Sequence, residues 1–553
     1  PSLRASYSTF FLIFVVVFGV VAMGSPTVYT IAGSDSGGGA GIQADLHAIH
    51  GMGCHGCSAL TCLTAQNSVG VTAVHTPPPD FLRAQLDALH SDLPCSSVKI
   101  GMLGTSETIE CVAGWLSSLP PSSRPAVVLD PVMIATSAAR LISEGAQADM
   151  VSKLFPHTTL LTPNKYEAEA LCGYELRSPL DVERAASDIL SMGCEAVLLK
   201  GGHTLSSDPS KLEGDKNSTA GYAQDYFLDA SGGTWLRSGR YETDNTHGTG
   251  CTLSSAIASA LALKDTEEAG CFKGMTSLDA AVLGKAYVTK GVSSSVRIGA
   301  GPGPVQHKGF PSESRYFPTI VSEPSSPPPR GFKLMRPSDF GNLLPVVDTT
   351  EWVRRLCEAK GKGADVRDVQ VRLKGRGGGD VDDVVAECQR LCVAAGVRLW
   401  VNDHYEAAIK HGCFGVHMGQ SDLKECLKKG GIEALLKADV ALGISTHGFA
   451  ELSVALGLRP SYVSFGPVFG TKSKSDVGFE DQGVTGVRLW RSLIGPKVPF
   501  VVIGGVSKDK AAGVFGEGVD CVAAISEVTG RGLDGDIEGV FAEWGKEERR
   551  ADP

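Results

Sequence analysis

Apolar and polar positions along the chain fall into two successive patterns. Up to about residue 300, short apolar and β-branched runs recur at Val28–Ala32, Val98–Gly101, Ala126–Asp130, Thr158–Thr162 and Ala196–Lys200. Between them lie helix-like stretches, among them Ala44–His50, Phe81–His90 and Asp181–Met192. Strands alternating with helices predict an α/β domain on a mostly parallel sheet. The pattern closes near Gly301-Pro-Gly-Pro304. Residues 309–335 then turn rich in proline and serine, ending in Ser325-Ser-Pro-Pro-Pro-Arg330, with little to bury. A semi-extended linker is expected there.

A second strand–helix alternation fills 336–546. Its strand candidates are Leu343–Asp348, Asp368–Lys374, Leu399–Asp403, Phe414–Met418, Ala441–Thr446, Tyr462–Gly466, Phe500–Gly504 and Cys521–Ser526. Eight such units in roughly 210 residues predict a TIM (β/α)8 barrel, whose chemistry belongs at the C-terminal strand ends. Polar residues gather at those ends: Gln370, Arg372 and Lys374, Asn402 and Asp403, Gln420 and Asp422, Ser445 and Thr446, and Thr471 to Lys474.

The N-terminal stretch differs from both. Residues 1–25 carry an apolar run, Phe10 to Ala22, behind Arg4. It is too short for a confident membrane span and reads as a leader or targeting segment, or as an artefact of a mis-joined start with Met23 as the true one. Composition adds limits. The chain has 553 residues, 42% hydrophobic and 20% charged, with net charge −10 and no strongly basic block. Nucleic-acid binding is therefore not expected, nor is stable membrane association. Fifteen cysteines are scattered without a small-domain framework, which suits a reduced intracellular protein. Cys54-His-Gly-Cys57 has metal-ligand or redox spacing but no second pair to complete a metal site.

The first domain carries four polar features. Gly33-Ser-Asp-Ser-Gly-Gly-Gly-Ala-Gly-Ile-Gln-Ala-Asp45 is a glycine-rich strand-to-helix loop that matches neither the dinucleotide fingerprint nor the P-loop. Pro163-Asn-Lys-Tyr-Glu167 puts Asn164 and Glu167 one helical turn apart, where they could flank hydrated Mg²⁺ beside phosphates or simply cap a helix. Lys200 ends a strand, within reach of a phosphate. Asn245-Thr-His-Gly-Thr-Gly-Cys-Thr252 precedes a small, apolar helix-like run, Leu253 to Leu263. A glycine turn opening a helix aims free N–H groups and the positive helix end at one point, suited to a migrating phosphoryl group. Cys251 lies in that first turn, where the same field is expected to lower its thiol pKa.

Together these pieces resemble the ribokinase superfamily and, within it, hydroxymethylpyrimidine/phosphomethylpyrimidine kinase of thiamine biosynthesis. The resemblance runs from about Val28 to His307, through Thr30-Ile-Ala-Gly-Ser-Asp-Ser, Thr64-Ala-Gln-Asn67, Lys99-Ile-Gly-Met102, Leu129-Asp-Pro-Val-Met133, Leu161-Thr-Pro-Asn164 and Asn245 to Cys251. It implies a three-layer α/β/α domain over 26–308. It implies that the backbone of Gly248, Thr249, Gly250 and Cys251 stabilises the transferring phosphoryl group of ATP, with Cys251 as base toward the substrate hydroxyl. It also implies that Asp45 and Gln66 read the aminopyrimidine beside Ala40.

In the second domain Gln370-Val-Arg-Leu-Lys374 alternates, so Gln370, Arg372 and Lys374 share one face and could hold a diphosphate. Asp403 and Asp422 end successive strands and could converge on Mg²⁺. This half resembles thiamine-phosphate synthase over about Leu343 to Val528, through Val401-Asn-Asp403, Gly415-Val-His-Met-Gly-Gln-Ser-Asp422, Gly443-Ile-Ser-Thr-His447, Gly466-Pro-Val-Phe469, Ile503-Gly-Gly505 and Ile525-Ser526. The resemblance implies Asp403 and Asp422 as Mg²⁺ ligands. Gln370, Arg372, Lys374, Asn402, Ser445 and Lys474 would grip the pyrimidine diphosphate. Thr471, Ser473, Gly505, Ile525 and Ser526 would hold the thiazole phosphate. One departure is Lys472, where the family usually has a small hydroxyl residue.

The expectation is a bifunctional enzyme. It phosphorylates hydroxymethylpyrimidine twice with ATP, then condenses the diphosphate with hydroxyethylthiazole phosphate, or its carboxylated form, to thiamine phosphate and pyrophosphate. Small molecules are the expected partners, a homo-oligomer the expected state, and a plastid the compartment implied by plant or algal relatives, with the cytoplasm as alternative. Two rivals stand beside it: a kinase for pyridoxal-type vitamers fused to a synthase-like barrel, and a non-catalytic sensor of pyrimidine or thiamine.

Overall fold

Strand β1, Thr27–Asp35, is almost entirely buried, as its apolar β-branched run requires of a strand covered on both faces. The computed structural model describes residues 25–133, 142–201, 221–264, 270–324, 330–375, 379–470 and 481–547. The leader expected over 1–25 lies outside them but for its last residue, and so does the loop from Thr471 to Lys474. Among the described residues no helix is long and apolar enough to cross a membrane.

The chain divides into two units. The first is built on one ten-stranded sheet. After β1 come β2 (His55–Gln66), β3 (Val71–His75), β4 (Ser97–Ile100), β5 (Ala126–Leu129), β6 (Leu160–Leu161), β7 (Ala196–Lys200), β8 (Tyr222–Asp229), β9 (Gly232–Gly239) and β10 (Thr319–Val321), in the spatial order β10-β9-β8-β7-β6-β5-β4-β1-β2-β3. The centre, from β2 through β1, β4, β5 and β6 to β7, is parallel. Both flanks are antiparallel. The five predicted strands all fall in that parallel centre. The flanking strands β3, β8, β9 and β10 were not predicted, and neither was β2.

Strand β10 corrects the linker expectation. Thr319–Val321 pairs antiparallel with Arg237, Leu236 and Trp235 of β9, so part of 309–335 is an edge strand of this sheet. The helix Thr249–Leu263 is apolar or small nearly all round, and Thr252 through Ala262 are buried. A helix with no polar face must be enclosed. Gly284 of the helix Ser277–Ser293 admits it closely: a Cβ there would meet Ile257 Cγ1 at 2.5 Å. Of the Cys54/Cys57 pair, Cys54 donates its thiol to the Ser259 carbonyl at 3.6 Å and Cys57 joins the hydrophobic core. None of the fifteen cysteines forms a disulfide.

The second unit is a closed eight-stranded parallel barrel: β11 (Leu343–Val347), β12 (Asp368–Val371), β13 (Arg398–Asn402), β14 (Gly415–Met418), β15 (Ala441–Thr446), β16 (Tyr462–Phe465), β17 (Phe500–Ile503) and β18 (Cys521–Ala524). Pairing of β11 with β18 closes it. All eight strands fall where the apolar runs predicted them. The interior is plugged by aromatic packing: Trp400 meets Tyr462 edge-on at 4.9 Å, and Phe340 meets Tyr462 at 5.4 Å. Asp368 lies beneath, held by Arg398 and by Trp400 Nε1–H at 2.8 Å.

Candidate active sites

At the C-terminal end of β1 the chain enters the glycine-rich loop. The Asp35 carboxylate organises it, accepting N–H groups from Gly37 at 2.8 Å, Gly39 at 3.1 Å and Ala40 at 2.9 Å. The helix Thr249–Leu263 opens against this loop. Its N-cap, Gly248, is left-handed at φ 80°, and a Cβ there would strike the Gly39 carbonyl oxygen. Glycine is needed for both reasons. No side chain caps this helix end, and of its first-turn N–H groups Thr249 donates to the Thr246 carbonyl at 3.3 Å. Over the turn sit Asp130 and Lys200, paired at 2.7 Å, and both lie 3.3 Å from where a Gly250 Cβ would be. The Lys200 ammonium is thus held beside the first turn of this helix.

Cys251 overturns the predicted direction of its pKa. Burial pushes the thiol up to about 11, against the pull of the Lys99 ammonium and a hydrogen bond from the Gly41 backbone, with Asp45 and Asp130 adding to the rise. The helix end supplies a favourable field, but desolvation of the sulfur outweighs it, although the residue keeps some exposure.

Asp45 is placed differently from expectation. It is fully buried and accepts from Lys99 Nζ at 2.7 Å, Thr30 Oγ1 at 2.6 Å and Ser255 Oγ at 2.8 Å. Its carboxylate belongs to a network shared with Cys251 through Lys99. Burial alone would lower the Lys99 ammonium, but Asp45, Cys251 and Asp130 together raise it above its ordinary value. Gln66 and Ala40 are partly exposed.

Asn164 and Glu167 form a reciprocal capping box on the helix Lys165–Cys172. Asn164 N–H donates to Glu167 at 2.7 Å, and Glu167 N–H to Asn164 at 3.0 Å. Of the two readings in the sequence, the cap is the one the geometry displays. Glu167 is also 2% exposed, and burial pushes its carboxyl up to about 7 against the attraction of Lys200.

In the barrel, Asp403 directly follows β13 in the left-handed region at φ 67°, a backbone strain uncommon for a residue other than glycine. Asp403 and Asp422 line one cavity of about 180 Å³ with Lys374, Asn402 and His404. Burial first, then the Asp422 charge, raises the Asp403 carboxyl, while the Gly419 N–H and Lys374 lower it. Two facing carboxylates of this kind are a hard-oxygen donor set that repels itself until a cation intervenes.

β12 stops at Val371, so Arg372 and Lys374 continue past the strand. Gln370 is buried and donates to Asn402 Oδ1 at 2.9 Å, and Asn402 donates to Asp403. Ser445 is buried too. His417 Nε2 lies 2.8 Å from its hydroxyl, Tyr462 Oη is 2.7 Å from His417 Nδ1, and Gln420 donates to the Ser445 carbonyl at 2.6 Å. After β17, Gly504 and Gly505 are both left-handed, and a Cβ on Gly505 would meet the Gly470 carbonyl oxygen at 2.6 Å. Ile525 and Ser526 follow β18 as the cap and first residue of a short helix. Thr471, Ser473, Lys474 and the anomalous Lys472 lie outside the described residues.

Residues 35–306 match the family model for phosphomethylpyrimidine kinase, and 343–528 that for thiamine monophosphate synthase. The "Probable thiamine biosynthetic bifunctional enzyme, chloroplastic" of Oryza sativa subsp. japonica is 33% identical over 91% of this chain and 85% of its own length. The chain belongs to the bifunctional thiamine-biosynthetic family. The chloroplastic thiamine biosynthetic bifunctional enzyme of Arabidopsis thaliana is also 33% identical, over 89% of this chain and 87% of that one. The hydroxymethylpyrimidine/phosphomethylpyrimidine kinase of Haemophilus influenzae is 41% identical over 51% of this chain and 96% of that one. A solved structure, the pyridoxal kinase from Staphylococcus aureus in complex with ADP, aligns with a TM-score of 0.44 at 28% identity, covering 52% of this chain and 94% of that chain.

The protein is thus a bifunctional transferase of thiamine biosynthesis, a ribokinase-like kinase domain followed by a synthase barrel. Several polar residues at its sites carry no role in the sequence reading: Asp35, Asp130, Lys99 and His247 in the kinase domain, His417 and Tyr462 in the synthase. Asp130, directly after β5 and before a proline, had a visible signal as a carboxylate at a strand end. Lys99 had none, since a lysine inside a buried strand is recognisable only once its partner is known.

Proposed function

We propose that ATP is bound with its γ-phosphoryl group over the Gly248–Cys251 turn, with Lys200 as the neutralising cation and Cys251 receiving the substrate proton. The observation that carries this is the uncapped helix N-terminus at Gly248 with Lys200 and Asp130 held at its mouth. The Gly250 and Cys251 N–H groups of the first turn and an ammonium converge where negative charge develops, which favours the transition state over the ground state. The pyrimidine lies along Ala40 and Gln66, while Asp45 fixes the wall behind it. The same site performs both phosphorylations.

In the barrel, Asp403 and Asp422 fit Mg²⁺, which takes one or two carboxylates and completes its shell with water and substrate phosphates. When bound, the ion supplies charge stabilisation to the departing diphosphate. Arg372 and Lys374 hold the diphosphate oxygens. Gln370 keeps Asn402 turned toward the cavity, and Ser445 orients the pyrimidine end. Gly505 and Ser526 offer backbone N–H groups to the thiazole phosphate, with Thr471, Ser473 and Lys474 closing the site. The chloroplastic relatives support a plastid as the compartment.

The test supplies protein starting at Met23 with hydroxymethylpyrimidine, thiazole phosphate, ATP and Mg²⁺. Thiamine phosphate should form, and should vanish when either ring substrate is omitted. Pyridoxine in place of hydroxymethylpyrimidine should be the poorer kinase substrate. Accumulation of pyrimidine diphosphate alone would overturn the synthase assignment of these residues.

A further inference from the structure

The imidazole of His247 stands one residue before the Gly248 turn and reaches the opposite loop, where its Nε2 lies 3.0 Å from Asp35 Oδ2. Its backbone is fixed independently: His247 N–H donates to the Gly303 carbonyl, and the His247 carbonyl accepts from Val305, each at 3.1 Å. Asp35 is nearly sealed, its side chain 4% exposed, and acts only as an acceptor. Three loop N–H groups and the imidazole converge on its two oxygens. The His247 ring also packs where a Cβ on Gly39 would go. One carboxylate therefore sets the curvature of the loop carrying Ala40 and ties that loop to the residue adjoining the phosphoryl turn.

The bond also decides what Gln66 can do. Gln66 Nε2 lies 3.5 Å from the same His247 nitrogen. With the His247 Nε2 proton directed at Asp35, that nitrogen has no lone pair for the Gln66 amide. The carboxamide N–H is left to a ligand in the cleft.

We propose that Asp35 and His247 are a positioning pair that latches the pyrimidine-binding loop to the phosphoryl anion hole, fixing the acceptor hydroxyl, and later the acceptor phosphate, in register with the γ-phosphoryl group. This rests on the kinase reading above. It asks nothing of either residue in bond making.

The test compares Asp35→Asn, His247→Gln and the double variant in the full-length chain, with both phosphorylation steps measured separately. Each single variant should lower kcat roughly 10- to 100-fold in both steps, the scale expected when reacting groups shift by about an ångström. KM for ATP should move less, because the latch does not touch the nucleotide. The double variant should be no slower than the worse single one, since either change opens the same latch. Synthase turnover on supplied pyrimidine diphosphate should be unchanged, which controls for folding of the rest of the chain. Multiplying effects in the double variant, or a lowered melting temperature with kcat intact, would overturn the latch. A wild-type chain with no pyrimidine kinase activity would instead bring down the functional reading itself.

Discussion

Raising the pH should accelerate the kinase steeply, because the group proposed to take the substrate proton is almost wholly un-ionised at neutrality. Burial pushes the Cys251 thiol up to about 11. At pH 8 about one molecule in 10³ carries the thiolate, which corresponds to about 4 kcal/mol at 1.36 kcal/mol per unit. A group with a raised value gains its charge only as the pH climbs toward that value. The rate should therefore rise about tenfold per pH unit, or roughly a hundredfold between pH 8 and 10. The window lies above the titration of Glu167, near 7, so that group does not contribute to the slope. The assay is single-turnover ADP formation with hydroxymethylpyrimidine, ATP and Mg²⁺ at saturation, run on the wild type and Cys251→Ala. The variant should be slower and flat across the window. A flat wild-type profile, or an alanine variant with the same slope, would refute thiolate base catalysis and leave the anion hole and Lys200 as the whole of the kinase machinery.

Asp403→Asn should remove one arm of the cation site and cost the synthase on the order of 10³-fold in rate, the scale of several kcal/mol of lost charge stabilisation, while the kinase is unaffected; a synthase that keeps its rate and its sensitivity to metal chelation would exclude Asp403 as a ligand. Lys99→Met should strand the Asp45 carboxylate and destabilise the kinase domain by about 3–5 kcal/mol in urea unfolding, and the double change with Asp45→Leu should recover much of it; a single-variant loss below about 1 kcal/mol would contradict the buried-pair reading. Gly505→Ala should raise KM for thiazole phosphate and cost about 1–2 kcal/mol in barrel stability, because φ is +62° and the new Cβ crowds the Gly470 carbonyl; an unaltered KM would show that this turn does not hold the phosphate.

The barrel was legible strand by strand because each of its strands is a short apolar run buried on both faces, a pattern that periodicity reads directly. In the kinase domain the same held for β1 and β4 to β7. Strands β3 and β10 escaped because β3 is exposed throughout and β10 is three residues long among prolines. The Gly-Thr-Gly-Cys turn could be read from local chemistry alone. The ionisation of Cys251 could not, since it depends on atoms brought from β4, β5 and the Gly41 backbone. Asn164 and Glu167 show the converse limit: three-residue spacing serves a helix cap and a metal pair equally well. Asp403 and Asp422 were expected to end successive strands, but only Asp403 directly follows one: Asp422 lies in the first turn of the helix Gln420–Lys428 after β14, and the two meet because neighbouring βα connections open on the same face of the barrel.

The strand that β10 adds to the kinase sheet bears on how the two enzymes could be separated, by a protease or by genetic cutting. A break between Pro304 and Thr319 would leave the kinase with β9 as a naked sheet edge, its N–H and C=O groups open to pairing with other chains. A break beyond Val321 would keep that edge covered. The stretch that looks expendable in composition is thus, over three residues, the kinase's own selvedge, and its loss should show first as aggregation rather than as a change in catalysis.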